Sequence, residues 1–354
     1  MSQRMTMAQL ARLAGLDVST VSRALRGDTL RVSAPTIERV QRLARREGFL
    51  PDANAASLRR RRSYVLGMMV PDLTDVVLAR LFEAVSTAAN LDGYLAVVTS
   101  TRADPARRRT AAHDFLSRRV DGVIVADATL RHAAPELLVA SGTPFVMALR
   151  SGGRHPSVVV DDLAGGRLAA EHLLHAGHRD LCVVGGPRNV STAERRMRGF
   201  VQACGRAGVE IASSAMRHGA FGVDGGYRSM LELLEAGQRP SAVFAVNDYN
   251  AIGAARALQE HGLIVGRDVA LTGYNDIAIG RYLETPLSTV RVDHDLMGRE
   301  VVELLLRLVA GEIPESVQLQ PELVVRESSD LRRGANRSAQ RLRNARLAKR
   351  PSSS

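Results

Sequence analysis

The sequence predicts a small all-α helix-turn-helix head, a hinge helix, and a two-lobed α/β core built on parallel sheets. Three observations carry this. Residues 6–27, TMAQLARLAGLDVSTVSRALRG, read as a helix, a glycine turn and a second helix. From Tyr64 onward, short apolar runs alternate with helix-length stretches in two successive series, the signature of βα units. The charge is also uneven. Of the formal net charge of +11, residues 1–63 carry +8, from 13 arginines against 5 acidic residues. Residues 331–354 carry another +8 with no acid, which leaves −5 for the stretch between. A basic head on a mildly acidic body suits a nucleic-acid-binding module joined to a part that does not touch the polymer. An arginine-rich composition would produce the same head and tail, so charge alone does not decide.

In the head, Thr6 can cap the first helix and Gln9 can close a capping box. Leu10, Ala11 and Ala14 share one apolar face; Gly15 breaks the helix and Leu16 seals the corner. Asp17 can cap the second helix, whose inner face is Val21, Ala24 and Leu25 and which ends at Gly27. The outer face carries Val18, Ser19, Ser22, Arg23 and Arg26. Short hydrogen-bonding side chains and arginines fit a major groove and read base edges. Ser33 caps a third helix with Pro35 in its first turn. Ile37, Val40 and Ala44 keep the helical period and pack on the first two helices, and Gly48 ends the third.

The segment FLPDANAASLRRRRS follows. Asp52 can cap one more helix of about nine residues, below the ~12 at which an isolated helix holds in water. It forms when something holds it. Two Leu58 side chains, paired in a dimer, can wedge into the minor groove and kink the duplex. Arg59 and its neighbours to Arg62 would neutralise phosphates around them. A flexible basic linker is the alternative this stretch leaves open.

Strands are predicted at 65–70, 94–100, 122–126, 145–149 and 157–161, then at 181–186, 242–248 and 269–276. Two such series suggest two similar lobes. Ligands of parallel sheets sit beyond the carboxyl ends of the strands, and those ends are polar here. Asp72 follows the first strand, Asp161 ends the fifth, Asn247-Asp248 close the seventh and Asn275-Asp276 the eighth, with Arg196 near the start of the helix after LCVVGG. Converging between lobes, such groups suit a small polar ligand. Asp162 and Asp248 read as helix caps.

No apolar run reaches the ~18 residues of a transmembrane helix, and the amino terminus lacks an apolar signal core, which predicts a cytoplasmic protein. Cys182 and Cys204 fit neither a disulfide framework nor a metal site. No Ser-His-Asp or Cys-His constellation has motif support, and GGP at 185–187 is too short for a phosphate loop. His172, His175 and His178 read as a helix exit beside its glycine. No catalytic residue, metal or cofactor is expected.

The run TMAQLARLAGLDVSTVSRALRG, RVSAPT behind it and the hinge ASLR resemble the lactose-repressor (LacI/GalR) family of bacterial transcription regulators. The likeness continues through VPDLT, RRVDGVIV, EHLLHAGHRD, GGP, RRMRGF, AVNDYNAIGA, GYNDI and PLSTVRVD, from residue 6 to about 327. The resemblance implies a homodimeric repressor whose heads bind near-palindromic double-stranded operator DNA. It implies a periplasmic-binding-protein-like core that holds a small-molecule effector between its lobes, with no membrane partner. By position, Val18, Ser19 and Arg23 correspond to the family's base readers. Thr6, Thr20, Ser22, Ser33 and Thr36 correspond to its phosphate contacts, and Leu58 to its intercalating leucine. Met7, Arg26 and Arg59 complete the candidate DNA contacts. Asp72, Asp161, Arg196, Phe221, Asn247 and Asn275 correspond to effector-binding positions.

Several positions depart from the family pattern. The family usually has Asn where this chain has Arg26 and Asp52. Asp75-Val76-Val77-Leu78 replaces an Asn-Pro-Phe-Phe run that supplies an aromatic wall. A frequent ligand-binding Asp is Leu149 here, with Arg150 beside it as a further candidate; another is Asn275, and a polar position is Val292. These losses of acceptors predict an effector that is anionic or less hydroxylated than a hexose, with Arg196 as its charge partner.

The expected organisation is a head at 1–50, a hinge at 51–63, a core at 64–330 and a tail at 331–354. Lobe 1 would take about 64–161 and 292–319, and lobe 2 about 162–291 and 320–330. The tail is polar and basic without apolar periodicity, which predicts disorder. It lacks the leucine heptads of a four-stranded bundle, so a dimer is expected. The core alone leaves a second reading, a cytosolic solute-binding protein without a regulatory role.

Overall fold

The structure is a computed structural model of the 354-residue chain, in which residues 5–49, 62–130, 135–150 and 154–330 are described. The expected hinge helix, with Leu58 and Arg59, and the tail at 331–354 lie outside the described residues. The chain divides into a unit ending at Ser63 and a second beginning at Tyr64.

The first unit contains α1 (Met7–Ala14), α2 (Val18–Leu25) and α3 (Ala34–Arg46). The predicted capping box is present: Thr6 N–H donates to Gln9 Oε1 at 2.8 Å and Gln9 N–H to Thr6 Oγ1 at 3.3 Å. Gly15, at φ 62°, makes the left-handed turn that a side chain would resist. Leu10, Val21, Ala24 and Val40 are fully buried and, with Ile37, Ala44 and Phe49, form the core of this unit. Arg39 Nη2 donates to the Ala14 carbonyl at 3.1 Å and ties α3 to the end of α1. One expected cap is corrected. Ser33 occupies the N-cap position of α3 without capping it. Pro35 removes one amide donor, the Thr36 amide goes to the Ser33 carbonyl, and the Ser33 hydroxyl bonds the Thr36 hydroxyl at 2.9 Å instead.

The second unit has two six-stranded sheets. Lobe 1 is built from β1 (Val65–Val70), α4 (Val76–Leu91), β2 (Leu95–Ser100), α5 (Pro105–Ser117), β3 (Gly122–Val125), α6 (Glu136–Ser141), β4 (Phe145–Leu149) and β5 (Ser157–Val160). The chain then crosses to lobe 2 for α7 (Asp162–His175), β6 (Leu181–Gly185), α8 (Ser191–Arg206), β7 (Met216–His218), α9 (Val223–Glu235), β8 (Ala242–Ala245), α10 (Asp248–Glu260), β9 (Ala270–Asn275) and β10 (Ser288–Arg291). It returns for α11 (His294–Val309) and β11 (Val317–Leu319), then adds β12 (Glu322–Val324) to the second sheet. The sheet orders are β11-β5-β4-β3-β1-β2 and β12-β10-β9-β8-β6-β7. Every pairing is parallel except β10 with β12.

All eight predicted strands are present, each trimmed by at most a few residues at its ends. The short strands β7, β10, β11 and β12 were not predicted. At three or four residues each, they are too short to show a period and exist because a neighbouring strand offers its edge. The chain passes between sheets near Asp161, Val292-Asp293 and Gln320-Pro321, so the polar residues at those points lie where the lobes meet.

Glycines set the helix packing that positions the site. A Cβ on Gly166 would overlap the Arg196 carbonyl, and one on Gly199 would overlap that of Leu163, so α7 and α8 touch backbone to backbone. A Cβ on Gly165 would strike the Tyr274 hydroxyl. On lobe 1, Gly298 lets α11 lie directly on Ala84 of α4.

Candidate functional site

On the head, α2 presents the predicted reading face. Asp17 caps the helix, accepting from the Ser19 and Thr20 amides at 2.9 and 3.1 Å, and these bonds with those from the two hydroxyls hold its carboxyl well below the usual range. Val21 and Ala24 are buried, while Val18 is 47% exposed and Ser19 and Arg26 are exposed. Ser22 and Arg23 are half-buried along the same side. Neither Arg23 nor Arg26 has an ion-pair partner among the described residues, which leaves both guanidinium groups for an outside acceptor. The Thr20 hydroxyl donates to Asp17 at 2.6 Å, so a phosphate bond from Thr20 needs its proton redirected. Thr6 and Met7 sit at the amino end of α1, and Ser33 and Thr36 at that of α3.

In the core, the carboxyl ends of both sheets and the amino ends of the following helices face the junction of the lobes. The lobes touch there: the Leu130 amide beyond β3 donates to the Asn189 carbonyl beyond β6 at 2.9 Å. Asp161 and Asn247 sit at the starts of α7 and α10 and cap them, accepting from Ala164 N–H at 3.0 Å and Asn250 N–H at 2.7 Å. The expectation that Asp162 and Asp248 serve as caps is corrected. The residue before each does the capping, and the N1 position turns its carboxylate into the protein.

Asp162 accepts from Arg196 Nε at 2.8 Å, and Arg196 Nη1 donates to the Val246 carbonyl at 2.9 Å. The guanidinium lies over the Tyr274 ring, 3.7 Å from its centre. The role expected of Arg196 as the charge partner of an anion is therefore corrected: its charge is matched by Asp162. Its Nη2 edge has no protein partner among the described residues.

Asp248 accepts from Thr289 Oγ1 at 2.6 Å and the Ile277 amide at 2.8 Å, and burial pushes its carboxyl up to about 7. Asp276 accepts from Arg326 at 2.6 Å, Arg291 at 2.8 Å and Arg281 at 3.3 Å. Burial works against its charge, but Arg326 and Arg291 hold the carboxyl below its ordinary value. Between these clamps Asn275 and Asp276 adopt φ of 105° and 52°. Such backbone persists only where its surroundings over-determine it, and here it turns the chain at the carboxyl end of β9.

Leu149 holds the corresponding place at the carboxyl end of β4, with φ 62° and the Arg150 amide bonded to the Ala148 carbonyl at 2.6 Å. Arg150 is buried, and its Nη1 donates to the Ala128 carbonyl at 2.9 Å. Phe221 packs on Gly186 after β6. Asp72 does not join this convergence: it is exposed and turned back on Thr74. Asp75 takes the inward place, capping α4 through the Val77 amide at 2.9 Å. Burial raises its carboxyl, while Arg150 of lobe 1 and Arg196 of lobe 2 both act against that.

Sequence reasoning missed Asp75, Asp162, Asp248 and His294. The doublets Asp161-Asp162 and Asn247-Asp248, repeated at one place in both series, were the available signal for two of them. His294 opens α11 at the second crossover, 1% exposed, with neither ring nitrogen hydrogen-bonded among the described residues. Burial first, then the nearby Arg80 and Arg196, lower it to about 4.

An exposed helix-turn-helix face on one unit and a two-lobed parallel-sheet core on the other define a DNA-binding, ligand-sensing transcription regulator. Residues 6–52 match the profile of the bacterial regulatory proteins of the lacI family, and residues 170–329 that of a periplasmic binding protein-like domain. The chain is 32% identical over 337 residues to the HTH-type transcriptional regulator CelR of Thermobifida fusca, covering 92% of this chain and 98% of that protein. It resembles the structure of a Lac repressor dimer bound to operator and an anti-inducer, with TM-score 0.83 and 27% identity over 92% of this chain and 99% of that one. It also resembles a CelR–cellobiose complex, with TM-score 0.71 and 30% identity over 92% and 100%. The chain belongs to the lacI family of bacterial regulatory proteins. That membership makes it a regulator, not an enzyme or a solute-binding protein without a regulatory role. Among the described residues no helix is long and apolar enough to cross a membrane.

Proposed function

We propose that this regulator is a homodimeric repressor that binds a near-palindromic operator through paired heads and responds to a small molecule held between the lobes of its core. The exposed face of α2 carries the reading: Arg23 and Arg26, without ion-pair partners among the described residues, and the Ser19 and Ser22 hydroxyls stand on the side of the helix opposite the buried Val21 and Ala24. Val18, Ser19 and Arg23 read base edges, Thr6, Thr20, Ser22, Ser33 and Thr36 hold the phosphate backbone, and Met7 and Arg26 are further DNA contacts. Leu58 of the hinge wedges into the minor groove, and Arg59 neutralises phosphates beside it. In the core, Arg150, Asp161, Arg196, Phe221, Asn247 and Asn275 contact the effector, with Asp72 at the rim. The protein works in the cytoplasm, on the nucleoid when DNA-bound.

Selection of bound duplexes from a random pool tests this. A recurrent near-palindrome, released by one class of metabolite, is the expected result. No preference for any duplex over competitor at moderate salt, with or without metabolites, would overturn it.

A further inference from the structure

We propose that the interlobe cleft takes a small organic monocarboxylate and that Arg150 is its charge partner. This rests on the reading of the core as the effector-binding part. Three buried arginines lie at the cleft ends of the sheets. Arg108 is matched by Asp127 at 3.0 Å, and Arg196 by Asp162 at 2.8 Å. Asp127 is further occupied by the Thr101 hydroxyl at 2.6 Å. Arg150 has no carboxylate within ion-pair reach among the described residues, although it is only 9% exposed. The guanidinium's single hydrogen bond among them, to the Ala128 carbonyl, leaves most of its fork unused. A buried cation in this state is costly unless something supplies the opposite charge.

The position of Arg150 is imposed. The turn at Leu149 holds a bulky aliphatic residue at φ 62°, a conformation it resists, and so delivers Arg150 just beyond β4. Few acceptors nearby are free: Asp161 and Asn247 each spend an oxygen capping α7 and α10, and the neighbouring Leu149 is aliphatic. Asp127, already paired with Arg108, and Asp75, which spends an oxygen on the Val77 amide, act on Arg150 only from beyond ion-pair reach. A ligand here must bring acceptors and charge of its own. A guanidinium with no carboxylate in contact calls for a small anion, the Asp75 charge nearby favours a single negative charge over a phosphate dianion, and a planar carboxylate fits the guanidinium fork in two parallel bonds.

The test uses the full-length protein and two carboxylate probes, D-gluconate and L-lactate, against the neutral D-glucose and glycerol. Calorimetry and operator release are measured on the same samples. At least one acid is expected to bind where its neutral counterpart does not. Arg150→Met should weaken that binding by about 10- to 100-fold, and Arg150→Lys by less. A purely structural Arg150 would lower the melting temperature of the ligand-free Met variant and leave acid affinity unchanged. That result, binding of neither acid, or neutral probes binding as tightly, overturns the proposal. A neutral probe that releases operator would remove the carboxylate and leave the regulator standing. Loss of specific operator binding would strike the regulator reading itself, whatever the acids do.

Discussion

Arg196 of α8 donates through Nε to Asp162 of α7 at 2.8 Å, with both side chains buried in lobe 2. The pair joins the start of one helix to the first turns of another, at the edge of the cleft. Removing one partner leaves a buried charge alone. Asp162→Asn should therefore cost about 3–5 kcal/mol, whereas Asp162→Leu combined with Arg196→Met should cost far less. All six tyrosines lie beyond residue 63, so tyrosine fluorescence in a urea titration follows the core alone. A single variant within about 1 kcal/mol of wild type would show that the pair contributes nothing.

Gly166 and Gly205 make opposite predictions. A methyl group on Gly166 meets the Arg196 backbone carbonyl, which cannot rotate away, so Gly166→Ala should destabilise the core by about 1–3 kcal/mol. Gly205, near the end of α8, has nothing within 4 Å of its would-be Cβ. Gly205→Ala should stabilise by up to about 1 kcal/mol through helix propensity. The same urea titration decides both, and equal effects would rule out the close helix contact.

His294 and Asp248 tilt the dependence of stability on pH in opposite directions. Burial lowers His294 from 6.5 to about 4. Between those values the unfolded chain binds a proton that the folded chain refuses, so stability falls as pH drops through the window. Burial raises Asp248 from 3.8 to about 7, so its folded form keeps a proton the unfolded form loses, and stability falls as pH rises. Each contributes a slope of about 1.4 kcal/mol per pH unit, and over the shared window the two cancel. His294→Phe removes one of them. Relative to wild type it should gain about 3 kcal/mol between pH 7 and pH 4.5. A difference between the two proteins that does not change with pH contradicts this.

Arg23→Ala should cost about 1–3 kcal/mol at the selected operator and erase discrimination at one base pair, provided the guanidinium forks onto a base edge. Competition binding with single-base operator variants measures it. An unchanged specificity ratio, with weaker binding to all DNA, would place Arg23 on phosphate instead.

Leu58→Ala should weaken specific binding and reduce the bend in the operator. Gel-phasing compares the two proteins directly, and equal bend angles would exclude a leucine wedge.

Much of the site was legible because its residues sit at ends that a pattern reveals. A strand closing on Asp-Asp or Asn-Asp announces a helix start at the mouth of a cleft, and Asp161 and Asn247 were found that way. Which member of each doublet caps was not legible. It depends on whether the next turn packs against Arg196 or Thr289, distant in sequence by 34 and 41 residues. Asp72 and Asp75 were confused for a similar reason. Both follow β1, and only the turn through Thr74 decides which one faces inward.

Helix spacing, glycine breaks and two series of apolar runs were enough to specify three head helices, eight strands and their division into head and lobes. These are local properties, set by a period and by which side of each element must leave water. The assignment of charge partners belongs to the tertiary structure alone. Asp162 rather than a ligand satisfies Arg196, and Asp127 satisfies Arg108, while Arg150 is left over. Pairing of buried charges depends on distances of a few ångströms between segments far apart in the chain, and no run of residues encodes such a distance.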